Sequence, residues 1–214
     1  LISGVNLLDP RRRPGQDRPM TETATDHAPH HRDAEQLAAG LDHVRRSPTD
    51  AGTVQMLVVR PAVLERQVLD RAEISATAGV VGDTWDQRPS RRTADGGPNP
   101  DAQVTVMNAR AADLVAGGQE RWPLAGDQIY VDLDLSLDNL PTGTRLSLGS
   151  AVLEVTDAPH TGCAKFSERF GVEALRLTAT PDGKQLRLRG INTRVVQAGT
   201  VAIGDAITVE RPGA

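Results

Sequence analysis

One cysteine, five aromatic rings and no long apolar run constrain this chain before any motif is considered. A single thiol, Cys163, cannot close an internal disulfide. It suits a reducing compartment such as the cytoplasm, where a free thiol persists. No stretch approaches the roughly eighteen apolar residues that a membrane-crossing helix needs, so no membrane association is expected. The opening residues lack a basic segment followed by an apolar one, and no secretory leader is expected. Positive charge is in deficit, with 24 Lys and Arg against 28 Asp and Glu and a net charge of −4. That balance argues against non-specific nucleic-acid binding, which relies on a basic surface. There is no repeat of fixed period. Aromatic rings are scarce, yet both phenylalanines lie in "APHTGCAKFSERFG" (158–171), beside the single cysteine.

The chain divides by composition. Residues 1–32 are rich in Pro, Arg, Asp, Thr and His without apolar periodicity, and are expected to be disordered. Met20, followed by the polar "TETATDHAPHH", reads as a candidate translation start, which would make residues 1–19 upstream read-through. The histidines of "HAPHH" are read as a solvated tail, since a metal site needs fixed geometry. "DAEQLAAGLDHVRRSP" places Leu37, Leu41 and Val44 at helical spacing, with Asp33 as N-cap and Pro48 just beyond the end. That helix either docks on the domain or hangs free.

From Thr53 the texture becomes β-rich. "TVQMLVV", "AGVVGDTW" and "QVTVM" are short apolar runs. "NARAADLVAGG" reads as a helix capped by Asn108 and stopped by Gly117-Gly118. "RLSLGSAVLEVT" predicts two strands across a Gly149-Ser150 turn, and residues 186–210 predict three more. Gly-Asp recurs at 82–83, 126–127 and 204–205, where it serves as turn chemistry at least in the last case. The fold class expected is mostly β, a largely antiparallel barrel with a few peripheral helices.

Cys163 falls where the strand "AVLEVT" hands over, through Pro159, to the helix "CAKFSERFG". Unpaired N–H groups at a helix start favour a thiolate, and His160 and Lys165 are close in sequence. Four readings stay open. The thiol could be a buried structural group. It could bind zinc with His160, which would need two further ligands. It could be the nucleophile of a Cys-His hydrolase, which would need a third group to orient the base. Or it could be a soft-metal ligand or sulfur carrier.

Three stretches, "GVVGDTW" (79–85), "LSLDNLPTGTRLSLGSAVLEVTDAPHTGC" (135–163) and "RGINTRVVQAGTVAIGDAITV" (189–209), together resemble the MOSC domain. This is the C-terminal domain of molybdenum cofactor sulfurases, also found alone in small bacterial proteins. The likeness spans most of residues 53–210 in the family's order, and the form around Cys163 is similar to a stand-alone bacterial branch. It sets the expected organisation as a tail (1–32), a short helix and linker (33–52) and a MOSC domain (53–210).

The resemblance implies a barrel-like fold and a role with the molybdenum cofactor (molybdopterin) or with sulfur. Cys163 would ligate molybdenum or carry a persulfide, with His160 beside it in a catalytic role. Arg189, Arg194, Lys165 and Thr161 would serve the cofactor, whose phosphate calls for cations or backbone N–H groups. The implied activity is reduction of, or oxo transfer with, a small N-hydroxylated or oxidised substrate, with an electron-transfer or sulfur-donor protein as partner. The alternative is a non-catalytic carrier of sulfur or cofactor. The pyridoxal-phosphate sulfurase domain of the larger relatives is not in this sequence, so pyridoxal phosphate is not expected. Gly162 stands where many members have proline before the cysteine.

Overall fold

The computed structural model describes residues 19–21 and 31–213. Seven strands close into a barrel: β2 (Ala51–Val59), β6 (Val104–Asn108), β7 (Ile129–Asp132), β8 (Arg145–Leu148), β9 (Ala151–Val155), β10 (Ile191–Gln197) and β12 (Ala206–Glu210). Around the ring the order is β2-β12-β8-β9-β10-β6-β7, with β7 pairing back to β2. An odd ring cannot alternate strand direction throughout, and one pair must run parallel. That pair is β6/β7. A parallel pair needs a crossover, here supplied by α2 (Ala109–Ala116) and a 3-10 segment at Gln119–Ala125. β1 (Pro19–Thr21) and β3 (Glu65–Leu69) extend the sheet beyond β2. A separate three-stranded sheet runs β11 (Gly199–Ala202), β4 (Arg71–Ser75), β5 (Gly79–Val80).

Two cores result. The barrel interior holds Val54, Leu57, Val59, Val106, Leu146, Leu153 and Ile207. The second core lies between the barrel wall and the helices α1 (Ala34–Arg45), α2, α3 (Ala164–Phe170) and α4 (Val172–Ala179). Strand β2 serves both, which is why "MLVV" is apolar at every position. A register shift between Val54 and Met56 turns Leu57 and Val59 into the interior, while Met56 and Val58 face the helices.

Helix α1 docks. Leu37, Leu41 and Val44 are buried in the second core. Asp33 closes a capping box, its carboxylate accepting from Gln36 N at 2.8 Å while Gln36 Oε1 accepts from Asp33 N at 3.1 Å. Residues 19–21 pair antiparallel with β3 and so depart from the expected disorder of 1–32, because β3 offers them an unpaired edge. Residues 1–18 and 22–30, with Met20's upstream neighbours and with His27 and His30, lie outside the described residues. Asn108 caps α2 by accepting from Arg110 N and Ala111 N, and Gly117 ends it in the left-handed conformation. Among the described residues no helix is long and apolar enough to cross a membrane.

Candidate functional site

The segment leaving β9 is tied down before it reaches the thiol. Thr156 Oγ1 donates to Asp101 O at 2.5 Å, and Asn192 Nδ2 on β10 donates to Ala158 O at 3.1 Å. Cys163 then takes an extended conformation at the N-cap of α3, its carbonyl accepting from Phe166 N at 3.0 Å and Ser167 N at 3.2 Å. Its side chain makes no cap bond and is exposed. Phe166 and Phe170, one helical turn apart, are buried in the second core with ring centroids 4.9 Å apart at 62°. These rings root the helix, and the thiol at its first turn faces outward.

Cys163 opens onto a cleft of about 650 Å³. Among the described residues Arg60, Arg66, Arg88, Lys165, Arg169 and Arg189 line it, and no carboxylate does. Arg60 is fixed by Asp83, which accepts from Nε at 2.7 Å, Nη2 at 2.8 Å and the Arg60 backbone N at 2.9 Å. Arg60 Nη1 donates to Gly126 O at 2.8 Å. Arg88 has its pKa pressed down by burial and then by the Arg60 charge, a sign of cations crowded together. Lys165 is exposed, and its ammonium has no hydrogen bond or ion pair among the described residues.

Behind the cleft lies a buried polar cluster. Asp127 is fully buried and accepts from Arg189 Nη1 at 2.5 Å, while Arg189 Nη2 donates to Ala125 O at 2.7 Å. The Arg189 guanidinium sits 5.2 Å over the Phe166 ring, which joins the cluster to the helix of Cys163. The other Asp127 oxygen, Oδ1, faces His160 Nδ1 at 3.6 Å. Neither atom has a hydrogen-bond partner among the described residues, nor does Arg189 Nε. Burial, and then the Arg189 charge, push His160 down to about 3 against the opposing pull of Asp127. His160 is therefore neutral at pH 7 and not an ion-pair partner. With Nδ1 toward a carboxylate oxygen, the favoured tautomer keeps its proton there and leaves Nε2 as an acceptor.

The residues singled out from sequence do not all converge. Cys163, Lys165 and Arg189 line the cleft. His160 and Thr161 line a second cavity that shares only Arg189 with the first, and no hydrogen bond links His160 to the thiol. Arg194 projects from β10 with half its side chain exposed, paired to Glu154 at 2.5 Å, and lines neither cavity. Arg60, Asp83, Arg88 and Asp127 were not singled out. The two carboxylates had a signal in the recurring Gly-Asp, and the two arginines had none: Asp83 clamps Arg60 and Asp127 holds Arg189, while Asp205 closes a turn by accepting from Ala202 N. Gly190 follows Arg189 with φ +93°, where a Cβ would meet Val106 O at 2.5 Å. Among the described residues no three His, Cys, Asp or Glu side chains are grouped to hold a metal ion.

Comparison with known proteins agrees with this architecture. The YuaD protein of Bacillus subtilis is similar in structure at a TM-score of 0.55 and 18% identity, over 74% of this chain and 95% of that one. A hypothetical protein matches at 0.51 and 17% identity, over 74% of this chain and 68% of its own. YiiM from Escherichia coli gives 0.49 and 16%, over 76% and 71%. At such identities the first two likenesses speak for the fold. No curated protein matches the sequence. The model of the MOSC domain matches residues 94–208, more than half of the 214. This barrel, with its thiol at the strand-to-helix junction, belongs to the MOSC domain family.

Proposed function

We propose that the cleft at Cys163 binds the molybdenum cofactor and that the protein acts on a small oxidised or N-hydroxylated substrate. One observation carries this reading: the chain's single thiol is exposed on a cleft lined, among the described residues, by six cationic side chains and no carboxylate. The donor set fits the group. A thiolate is a soft ligand suited to a metal in a sulfur environment, and one protein sulfur suffices where a pterin dithiolene supplies the rest. The phosphate of the pterin is a dianion, matched by Lys165 and by the Arg88 guanidinium. When bound, the group supplies a metal centre able to exchange an oxygen atom and an electron pair with the substrate.

The chain's own residues supply the frame. Asp83 and Asp127 fix Arg60 and Arg189 without drawing on the ligand's charge. Phe166 and Phe170 hold the helix that carries Cys163. An electron-donating protein partner completes a catalytic cycle. The exposure of Cys163 also suits a non-catalytic carrier handing persulfide or cofactor to a partner.

The test is molybdenum and pterin content of protein made in a host that synthesises the cofactor. Wild type should carry close to one equivalent, and Lys165→Ala should load less. Cys163→Ser, nearly isosteric, should fold and lose the metal. A Ser variant that keeps both metal and activity refutes the reading. Product in excess of one equivalent per chain separates an enzyme from a carrier.

A further inference from the structure

We infer that the second cavity, bounded by the 157–162 loop, binds a small organic anion with an apolar body. The cavity measures about 710 Å³, within the range of about 300–1,000 Å³ usual for small-molecule sites. Leu137, Leu175 and Ile191 provide apolar wall, and Leu137 is 46% exposed, so part of that wall lies open to solvent.

Two of its charges have no partner charge among the described residues. Of those residues, four cations and one carboxylate, Asp157, line the cavity. Arg176 is paired with Glu173 at 2.6 Å and Arg189 with Asp127. That leaves Lys184 and Arg187. Lys184, on α5 (Pro181–Gln185), has no side-chain partner among the described residues. Arg187 donates from Nη1 alone, to Leu140 O at 2.7 Å and Leu135 O at 3.4 Å. The remainder of its guanidinium has no partner among the described residues. Two carbonyls thus aim a planar cation, and they leave its other donors for an anionic head.

The backbone at Arg187 points the same way. Its φ is +46°, one of two positive values among the described non-glycine residues. Such a conformation costs energy and persists where surrounding bonds hold it, often at ligand clamps. Here Arg187 N donates to Lys184 O at 3.1 Å and Arg187 O accepts from Gly190 N at 2.7 Å, which lock the turn. Burial presses the Arg187 pKa down, yet a guanidinium stays charged at neutral pH. His160, the remaining titratable side chain of the wall, is neutral there and adds no competing charge.

This inference does not rest on the cofactor reading, and its test needs no metal. The full chain is titrated at pH 7 with 1-anilinonaphthalene-8-sulfonate, followed by fluorescence, and in parallel with N-phenyl-1-naphthylamine, the same body without the sulfonate. The sulfonate probe should saturate at one site and bind at least tenfold more tightly than the neutral one. Lys184→Glu, at an exposed position, should weaken the sulfonate probe at least tenfold with the fold intact. Lys165→Glu, in the other cleft, should leave it within about twofold. Non-saturable binding, equal affinity for the neutral probe, or a loss that follows Lys165 instead of Lys184 would each overturn the inference.

Discussion

Replacing Asp127 with asparagine removes the one charge that balances a buried guanidinium. Asp127 is fully buried, and the Arg189 side chain retains 10% of its exposure. Arg189 cannot escape by losing its proton, since a guanidinium stays charged in proteins. Its Nε lacks a partner among the described residues, so the carboxylate at Nη1 and the Ala125 carbonyl at Nη2 are its main compensation. Breaking a buried ion pair from one side typically costs about 3–5 kcal/mol. The asparagine oxygen can still accept from Nη1, which places Asp127→Asn near the lower end, about 3 kcal/mol. That is a large share of the roughly 5–15 kcal/mol holding a typical domain folded. Arg189→Met strands the carboxylate instead, and the double variant strands neither. In urea unfolding the double variant should therefore lose less than the sum of the singles, by about 2 kcal/mol or more of coupling. A single-variant loss under about 1 kcal/mol, with the two changes additive, would refute the role given to the pair.

Burial of two other side chains gives two further outcomes. The unfolded chain protonates His160 below its ordinary value of about 6.5, whereas the folded chain resists until about 3. The unfolded state then binds more protons, so stability falls as pH drops through that window. By pH 5 this one group should cost about 2 kcal/mol relative to neutral pH; His160→Gln should remove that part of the slope in urea titrations at the two pH values, and equal slopes would contradict it. Leu37→Ala should cost about 2–5 kcal/mol, because Leu37 is 1% exposed in the second core. A change below about 0.5 kcal/mol would show that α1 contributes little to the fold.

Features that depend on near neighbours could be read from the sequence alone. Asn108 caps α2 and Gly117 ends it, because the groups they satisfy lie within a few residues. The Gly149-Ser150 turn joins β8 to β9, and Cys163 heads α3 with Gly171 at its end, for the same local reasons. The scarcity of aromatics made the two phenylalanines beside the thiol conspicuous, and their spacing alone put both on one helix face. Strands β3 and β4 and helices α4 and α5 carry weaker local patterns, and they went unpredicted.

What only the tertiary structure decided was which residues meet across the chain. Arg189 meets Asp127 from 62 positions away and Arg60 meets Asp83 from 23 away. Both carboxylates were visible as Gly-Asp turns, but a turn signal does not name the cation it will hold. Arg189 and Arg194 look alike in sequence, one just before Gly190 and the other four residues after it. The register of β10 against β9 sets Arg194 opposite Glu154 on an outer face, while Arg189, before the strand begins, turns inward to Asp127. A strand's side chains alternate, and the face each one takes depends on how the barrel closes. Closure here rests on one parallel pair, β6/β7, and one bulge in β2, neither of which any short window of sequence specifies. The sequence by itself therefore determined the thiol's place at a helix start, and barrel closure decided which cations surround it, because helix caps are local bonds and ring closure is a sum of distant ones.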